Sequence, residues 1–318
     1  MKRYLIFIPI IIILLLAVVI SIALHVDTFE VMTVPRSYSY VSTYSDDDEM
    51  DVLVYVSSQN SYITRKENIK NAYVTSSDEN NTMKVDLIDI QNMNSNVKIY
   101  GHYFYLYKFS FDIPFKTTSE YELSISDAFL LLDYGTREIT ITLGSFYYYK
   151  MPYYGDVDNG LVVTNLKPVI GYIGDNKTIC GIRIGLRNNA LTDITICDIK
   201  LLDPNIYPSL GEIKIIDNEI GGLESMSSIL GYNYVVKPKE KAPGEVALKI
   251  TKNKEIEIVI PIKYLEDYPI NSLGFIISYQ RSGSGEIIKY YFDDFVFFNS
   301  MKETYDENKV VINTYENN

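Results

Sequence analysis

Apolar and polar residues alternate with a period of two over most of the chain beyond residue 50. Val52, Val54 and Val56 share one parity, and so do Met83, Val85 and Leu87. The longest such run extends from Val97 to Ile113. Val97, Ile99, Tyr103, Tyr105, Tyr107, Phe109, Phe111 and Ile113 lie on one parity; Lys98, His102, Lys108, Ser110 and Asp112 lie on the other. Successive side chains of a strand point to opposite faces, so this alternation predicts half-buried β-strands. A run of about 17 residues is longer than an ordinary strand, which predicts a bend or break near Gly101. No long amphipathic helix pattern follows the N-terminal segment. "SDAFLLLDYG" at 126–135 reads as a candidate helical turn between the strand-like "YELSI" and "REITITL". Parallel crossovers need helices or long connections, so the sheets are expected to be mainly antiparallel.

The N-terminus breaks this pattern. Residues Tyr4 to Leu24 carry no charge, and a helix of that length spans the hydrocarbon core of a bilayer. Lys2 and Arg3 precede it, while Asp27 and Glu30 follow. The positive-inside rule therefore predicts a cytoplasmic N-terminus and an extracytoplasmic remainder. The competing reading is a signal peptide cleaved after Ala23, since Ser21-Ile22-Ala23 supplies small residues near the end of the run. The length of the apolar run favours an uncleaved anchor, giving a single-pass plasma-membrane protein. Residues 25–50 then read as an acidic stalk, with Asp46-Asp47-Asp48-Glu49 as a solvated charge run rather than a calcium loop.

A weak internal repeat emerges when Pro114 is aligned with Pro261. "FSFDIPFK" matches "IEIVIPIK", and each is followed by an apolar strand, a polar glycine-containing turn and an aromatic strand. The aromatic strands are "ITITLGSFYYYK" in the first copy and "IIKYYFDDFVFFNS" in the second. The sequence therefore predicts an all-β protein: an N-terminal transmembrane helix followed by two antiparallel β-sandwich, immunoglobulin-like domains. The expected boundaries are 1–24 for the anchor, 25–50 for the stalk, 51–152 and 153–300 for the two sandwiches, and 301–318 for a polar C-terminal tail.

Twenty-nine tyrosines and no tryptophan make the aromatic stretches the most conspicuous candidates for recognition. "FYYYKMPYY" holds Phe146 and five tyrosines in nine residues. As a closing strand it would pack one face on the core and turn the other to solvent or to the neighbouring domain. Exposed tyrosines there could instead bind a partner or a sugar ring, which makes Tyr147, Tyr149, Tyr153 and Tyr154 candidates. Tyr100 and Phe104 are a second candidate pair, on the less apolar parity of "GHYFYLYKF".

Charge and the reactive residues narrow the function. Without Lys2 and Arg3 the chain has 27 basic and 41 acidic residues, a formal charge of −14. Such a surface repels phosphate backbones, which disfavours nucleic-acid binding. Cys180 and Cys197 lie in strand-like segments either side of "RNNALTD", close to facing register if those strands form a hairpin. In an exported domain that arrangement suggests a disulfide.

His25 and His102 are the only histidines. No Gly-x-Ser-x-Gly elbow, His-Glu-x-x-His pair or phosphate-cradling Gly-Lys-Ser/Thr loop occurs. The carboxylate pairs Asp156/Asp158 and Asp293/Asp294 lack the spacing of a calcium loop or a shared catalytic face. No cofactor and no metal are expected. The resulting expectation is a non-catalytic accessory or adaptor protein that contacts a membrane complex, for export or envelope assembly. The alternative is a module that binds envelope glycan or polymer through exposed tyrosines.

Overall fold

The computed structural model describes residues 28–42, 48–78, 80–114, 119–151, 160–173, 176–203, 206–216, 246–265, 270–292 and 310–316. Most of them lie in strands, and no α-helix occurs among the described residues. No helix there is long and apolar enough to cross a membrane. The proposed span 4–24, the cleavage alternative at Ala23 and His25 lie outside the described residues.

The first eight strands are β1 (Thr28–Thr33), β2 (Arg36–Ser42), β3 (Asp48–Val56), β4 (Asn71–Ser76), β5 (Thr82–Ile99), β6 (His102–Ile113), β7 (Tyr121–Asp133) and β8 (Glu138–Lys150). Two strands from the far end of the chain, β16 (Ile270–Ser272) and β19 (Val311–Glu316), join them. The sheet order is β16-β2-β8-β7-β4-β5-β6-β3-β1-β19. β5 is the hinge of this sheet: its first residues pair with β4, and its longer remainder pairs with β6. The two halves contribute side chains to one core, in which Val52, Val54, Phe109 and Phe111 meet Leu130, Ile141, Phe146 and Tyr148. Asn313 and Tyr315 of β19 both donate to the carbonyl of Thr140 on β8, which ties the two ends of the order together.

Three expectations need correction here. The segment read as a stalk contains β1 and β2, and every residue of β2 is buried. Val34 and Pro35 separate these strands, and proline has no N–H to continue a ladder. The chain therefore leaves β3's side after β1 and pairs in parallel with β8 as β2. The segment read as a C-terminal tail contains β19, paired with β1 over its full length. "SDAFLLLDYG" is not helical; it lies in β7, where bulges at Ile125/Ala128 and Ala128/Phe129 disturb the apolar alternation. Antiparallel pairs do predominate, with β2–β8 and β16–β2 as the parallel exceptions.

The predicted break at Gly101 is present. β5 and β6 form a hairpin closed by Tyr100 and Gly101, whose φ values of 47° and 89° are the positive pair of a two-residue primed turn.

The second half builds its own core. One sheet has the order β12-β15-β10-β9, with β13 also on β15: β9 (Leu161–Ile173), β10 (Asn176–Asn188), β12 (Ile206–Pro208), β13 (Lys214–Ile216) and β15 (Glu255–Tyr264). The other has the order β14-β11-β17-β18: β11 (Ile194–Leu201), β14 (Leu248–Ile250), β17 (Phe275–Arg281) and β18 (Ile287–Phe292). Isoleucines supply much of the shared core, with Ile182, Ile184 and Ile260 facing Ile194, Ile196 and Ile277. The hairpins of the internal repeat both form, as β7–β8 and β17–β18.

Cys180 and Cys197 are free thiols in this arrangement. β10 pairs with β9 and β15, whereas β11 pairs with β14 and β17, so the expected β10–β11 hairpin does not form. The chain crosses between sheets at buried Asn188. Its amide donates to Thr192 and Ile250 carbonyls at 2.9 Å each, and its oxygen accepts from the Ala190 N–H at 2.8 Å. Burial raises the Cys180 thiol to about 11, which keeps it protonated and unreactive near neutrality.

Candidate functional site

Two regions bear on function: the seam between the halves and the free end of the β5–β6 hairpin. At the seam, β8 is buried on both faces. Phe146 and Tyr148 point into the first core. Tyr147 and Tyr149 point the other way and pack with Val41, Leu202 and Ile276. The Tyr149 ring stacks on that of Tyr291, with centroids 5.7 Å apart and planes at 8°. Their phenols reach carboxylates at the margin: Tyr147 donates to Glu122 at 2.5 Å and Tyr149 to Glu120 at 2.6 Å. Burial first, then the adjacent carboxylates, holds both phenols well above the ordinary tyrosine value.

Polar side chains from both halves meet at the seam. The carboxylate of Asp203, 1% exposed, accepts from the hydroxyls of Ser37 and Ser145, the latter at 2.8 Å. The Ser39 N–H donates to Ser272 Oγ at 3.2 Å, and the Gly274 N–H donates to Ser39 Oγ at 3.0 Å. Buried Lys150 donates to Ser42 Oγ at 2.5 Å. A Cβ on Gly274 would meet Val41 Cγ2 at 2.8 Å, so only glycine admits this approach of β2. Asp203 holds two serines as donors and orders them. The arrangement is a staple between the two halves.

The structure therefore separates the predicted aromatic site. Tyr147 and Tyr149 are buried at the seam, at 4% and 6% exposure, and form no open ridge. Phe104 is buried as well, in a small cluster with Met32, Leu53, Tyr55, Ile99 and Leu106. Of the described candidates only Tyr100 is open, at 67%. Tyr153 and Tyr154 lie outside the described residues, as do Asp46, Asp47, Asp156, Asp158, Asp293 and Asp294. Among the described residues no three His, Cys, Asp or Glu side chains converge as a metal-binding group.

In the second region the sequence singled out Tyr100 and Phe104, and the open edge of β5 beside them went unrecognised. Beyond Val85 no described strand pairs with the β4 side of β5. Lys66 Nζ donates to the Ile88 carbonyl there. Most side chains along the rest of that edge are exposed, with Ile88 at 39% and Met93 at 41%, until Ile99 turns into the small cluster with Phe104. Register shifts at Leu87/Asp89 and Asn92/Asn96 interrupt the ladder with β6, and Asn94 takes a left-handed φ of 51°. The available signal was the lapse of alternation in "QNMNSN", where apolar residues give way to asparagines of low strand propensity. At the hairpin end, Tyr103 is 55% exposed, with the Lys98 ammonium 5.5 Å from its ring centroid. His102 Nδ1 lies 3.6 Å from Glu30 Oε2 on β1.

No family's sequence profile matches the chain. No curated protein matches it either. Among solved structures, the chain is similar to a protein of unknown function from Porphyromonas gingivalis W83, at 10% identity and a TM-score of 0.19, over 83% of this chain and 97% of that one. It is also similar to E. coli alpha-2-macroglobulin in its native conformation, at 7% identity and a TM-score of 0.20, over 82% of this chain and 16% of that one.

Proposed function

We propose that the protein is a membrane-anchored, extracytoplasmic, non-catalytic adaptor of two immunoglobulin-like β-sandwich domains that docks a membrane complex through the open edge of β5. The observation that carries this reading is the edge itself. Natural sheets cover, shorten or charge such edges, because unpaired N–H and C=O groups template a further strand. Here the edge runs from Asp86 to Ile99 with apolar Ile88 and Met93 exposed beside it. The two bulges divide it into Asp89–Asn92 and Asn96–Ile99, the stretches along which an added strand can follow the ladder. Strand addition supplies affinity from main-chain hydrogen bonds and specificity from alternate side chains.

The apolar, uncharged run 4–24 and its flanking charges support the anchor and the extracytoplasmic placement. The paired cores, and the crossing of the chain from β1 to β2 at Pro35, support the sandwich reading of each half. Of the residues offered for the polymer-binding alternative, Tyr147, Tyr149 and Phe104 are buried, Tyr100 is exposed, and Tyr153 and Tyr154 lie outside the described residues.

The test is affinity purification in mild detergent from native membranes after brief cross-linking, with the intact chain and an Ile88→Lys/Met93→Lys variant. The expected result is a stoichiometric membrane partner whose recovery falls at least about tenfold in the variant, since edge lysines oppose strand addition. Equal recovery with both chains, or no stoichiometric partner with either, overturns the reading.

A further inference from the structure

We infer that the closed end of the β5–β6 hairpin, Lys98 to Tyr103, rests in the headgroup zone of the bilayer and sets the orientation of the protein on it. This inference rests on the proposed anchor at 4–24. Four residue steps separate Leu24 from Thr28, the first residue of β1, and a fully extended chain covers at most about 14 Å in four steps. The headgroup region on each side of the hydrocarbon core is roughly 5–8 Å deep. Whatever lies level with Thr28 on the sheet is therefore held at or just above the membrane surface.

Strand register identifies that level. Val31 of β1 faces Val56 of β3, and Val56 faces Tyr105 of β6. Counting back along β1 and β6 places Thr28 level with His102. One contact agrees with this count: His102 lies against Glu30. Thr28 also faces Glu316, the last described residue. Tyr100 and Gly101 project one or two residues beyond this level. The hairpin end thus reaches past the level of Thr28, at the end of the first half where β1 begins.

Its chemistry suits that position. Tyrosine rings partition to the membrane–water boundary, where the ring is apolar and the hydroxyl is wet, and lysine stems reach from that depth to solvent. Tyr100 and Tyr103 are exposed at 67% and 55%, and Lys98 lies over the Tyr103 ring. The turn is also chosen against local cost. Its first position has φ of 47°, where Asn or Gly is the low-energy residue, yet a bulky aromatic occupies it. The acidic balance of the chain, −12 overall, opposes anionic lipid, so the surface expected is zwitterionic.

The absence of tryptophan makes the test direct, because one introduced indole is the sole tryptophan signal. The full chain is reconstituted in phosphatidylcholine bilayers, with and without lipid brominated near the headgroup end of its acyl chains. Three variants are compared: Leu15→Trp in the anchor, Tyr103→Trp in the hairpin, and Leu191→Trp in the second half, where Leu191 is 84% exposed. The expected result is strong quenching for Leu15→Trp, at least about twofold quenching for Tyr103→Trp, and none for Leu191→Trp. Quenching of Leu15→Trp alone overturns the hairpin contact and leaves the anchor standing. Equal quenching of Tyr103→Trp and Leu191→Trp overturns it as unspecific adsorption. No quenching of Leu15→Trp overturns the anchored reading, and this inference with it.

Discussion

Two tyrosine-rich stretches of similar composition have opposite fates. Phe146–Lys150 is buried on both faces, whereas Tyr100–Tyr105 ranges from 67% exposed at Tyr100 to buried at Phe104. Strand propensity does not separate them, since both are aromatic, alternating and closed by polar residues. The difference lies in their neighbours. β8 has the first core under one face and the second half over the other, supplied by Leu202, Ile276 and Tyr291. The end of the β5–β6 hairpin runs past β4 and has described strand neighbours only on the β6 side. A tyrosine's role is thus decided by what the fold brings against its second face, a contact between residues more than fifty positions apart.

The comparison can be broken most sharply at Tyr148, which is fully buried and donates to Asp48 at 3.1 Å. Tyr148→Ala is expected to lose about 3–5 kcal/mol through lost burial and the cavity it leaves. Tyr103→Ala is expected to stay within about 0.5 kcal/mol. Denaturant unfolding of both variants checks this, and a similar loss for the two would refute the assignment of one stretch to the core and the other to the surface.

Alkaline pH sharpens the same contrast with a smaller effect. Burial raises the phenols of Tyr147, Tyr148 and Tyr149 above the ordinary value of 10. Their protonated forms are favoured in the folded chain, so the stabilising contribution is fully present below pH 10. It declines as pH rises above 10, while the unfolded chain ionises and the folded chain does not. The slope is about 1.4 kcal/mol per pH unit for each such phenol. Stability measured between pH 9 and 11 is expected to fall less steeply in Tyr147→Phe/Tyr149→Phe than in the intact chain; equal slopes would show that these phenols ionise freely in the fold.

The smallest effect is expected at the turn. Tyr100→Gly relieves the left-handed backbone of a bulky residue and is expected to leave stability unchanged or to raise it by about 1 kcal/mol. Thermal unfolding measures this directly. A loss above about 1 kcal/mol would mean that the ring packs in the fold and is not held outward for another surface.

Much of the fold was legible along the chain. Alternation located β3, β5 and β6, the break at Gly101 became a turn, and the repeat around Pro114 and Pro261 located β15 and two hairpins. Other features depended on distant residues. β1 and β2 are short, and serine and tyrosine make β2 resemble a linker; burial between β8 and β16 makes it a strand. Cys180 and Cys197 stand in near-hairpin register by counting, yet the corner at Asn188 sends their strands into different sheets. The candidate site followed the same division. The tyrosines were visible, but their accessibility was not, and the open edge of β5 was signalled only by a run of asparagines.

The sequence by itself determined the strand-forming character of this protein, because a period of two is a local property that each segment carries without its partners. It also determined where chain direction must change, since glycine and proline limit the backbone at their own positions. Which strands pair, which aromatic face is covered and which edge stays open were decided only by the tertiary structure. Those outcomes depend on long-range hydrogen-bond ladders and on apolar area removed from water by remote segments, and no window of neighbouring residues contains either.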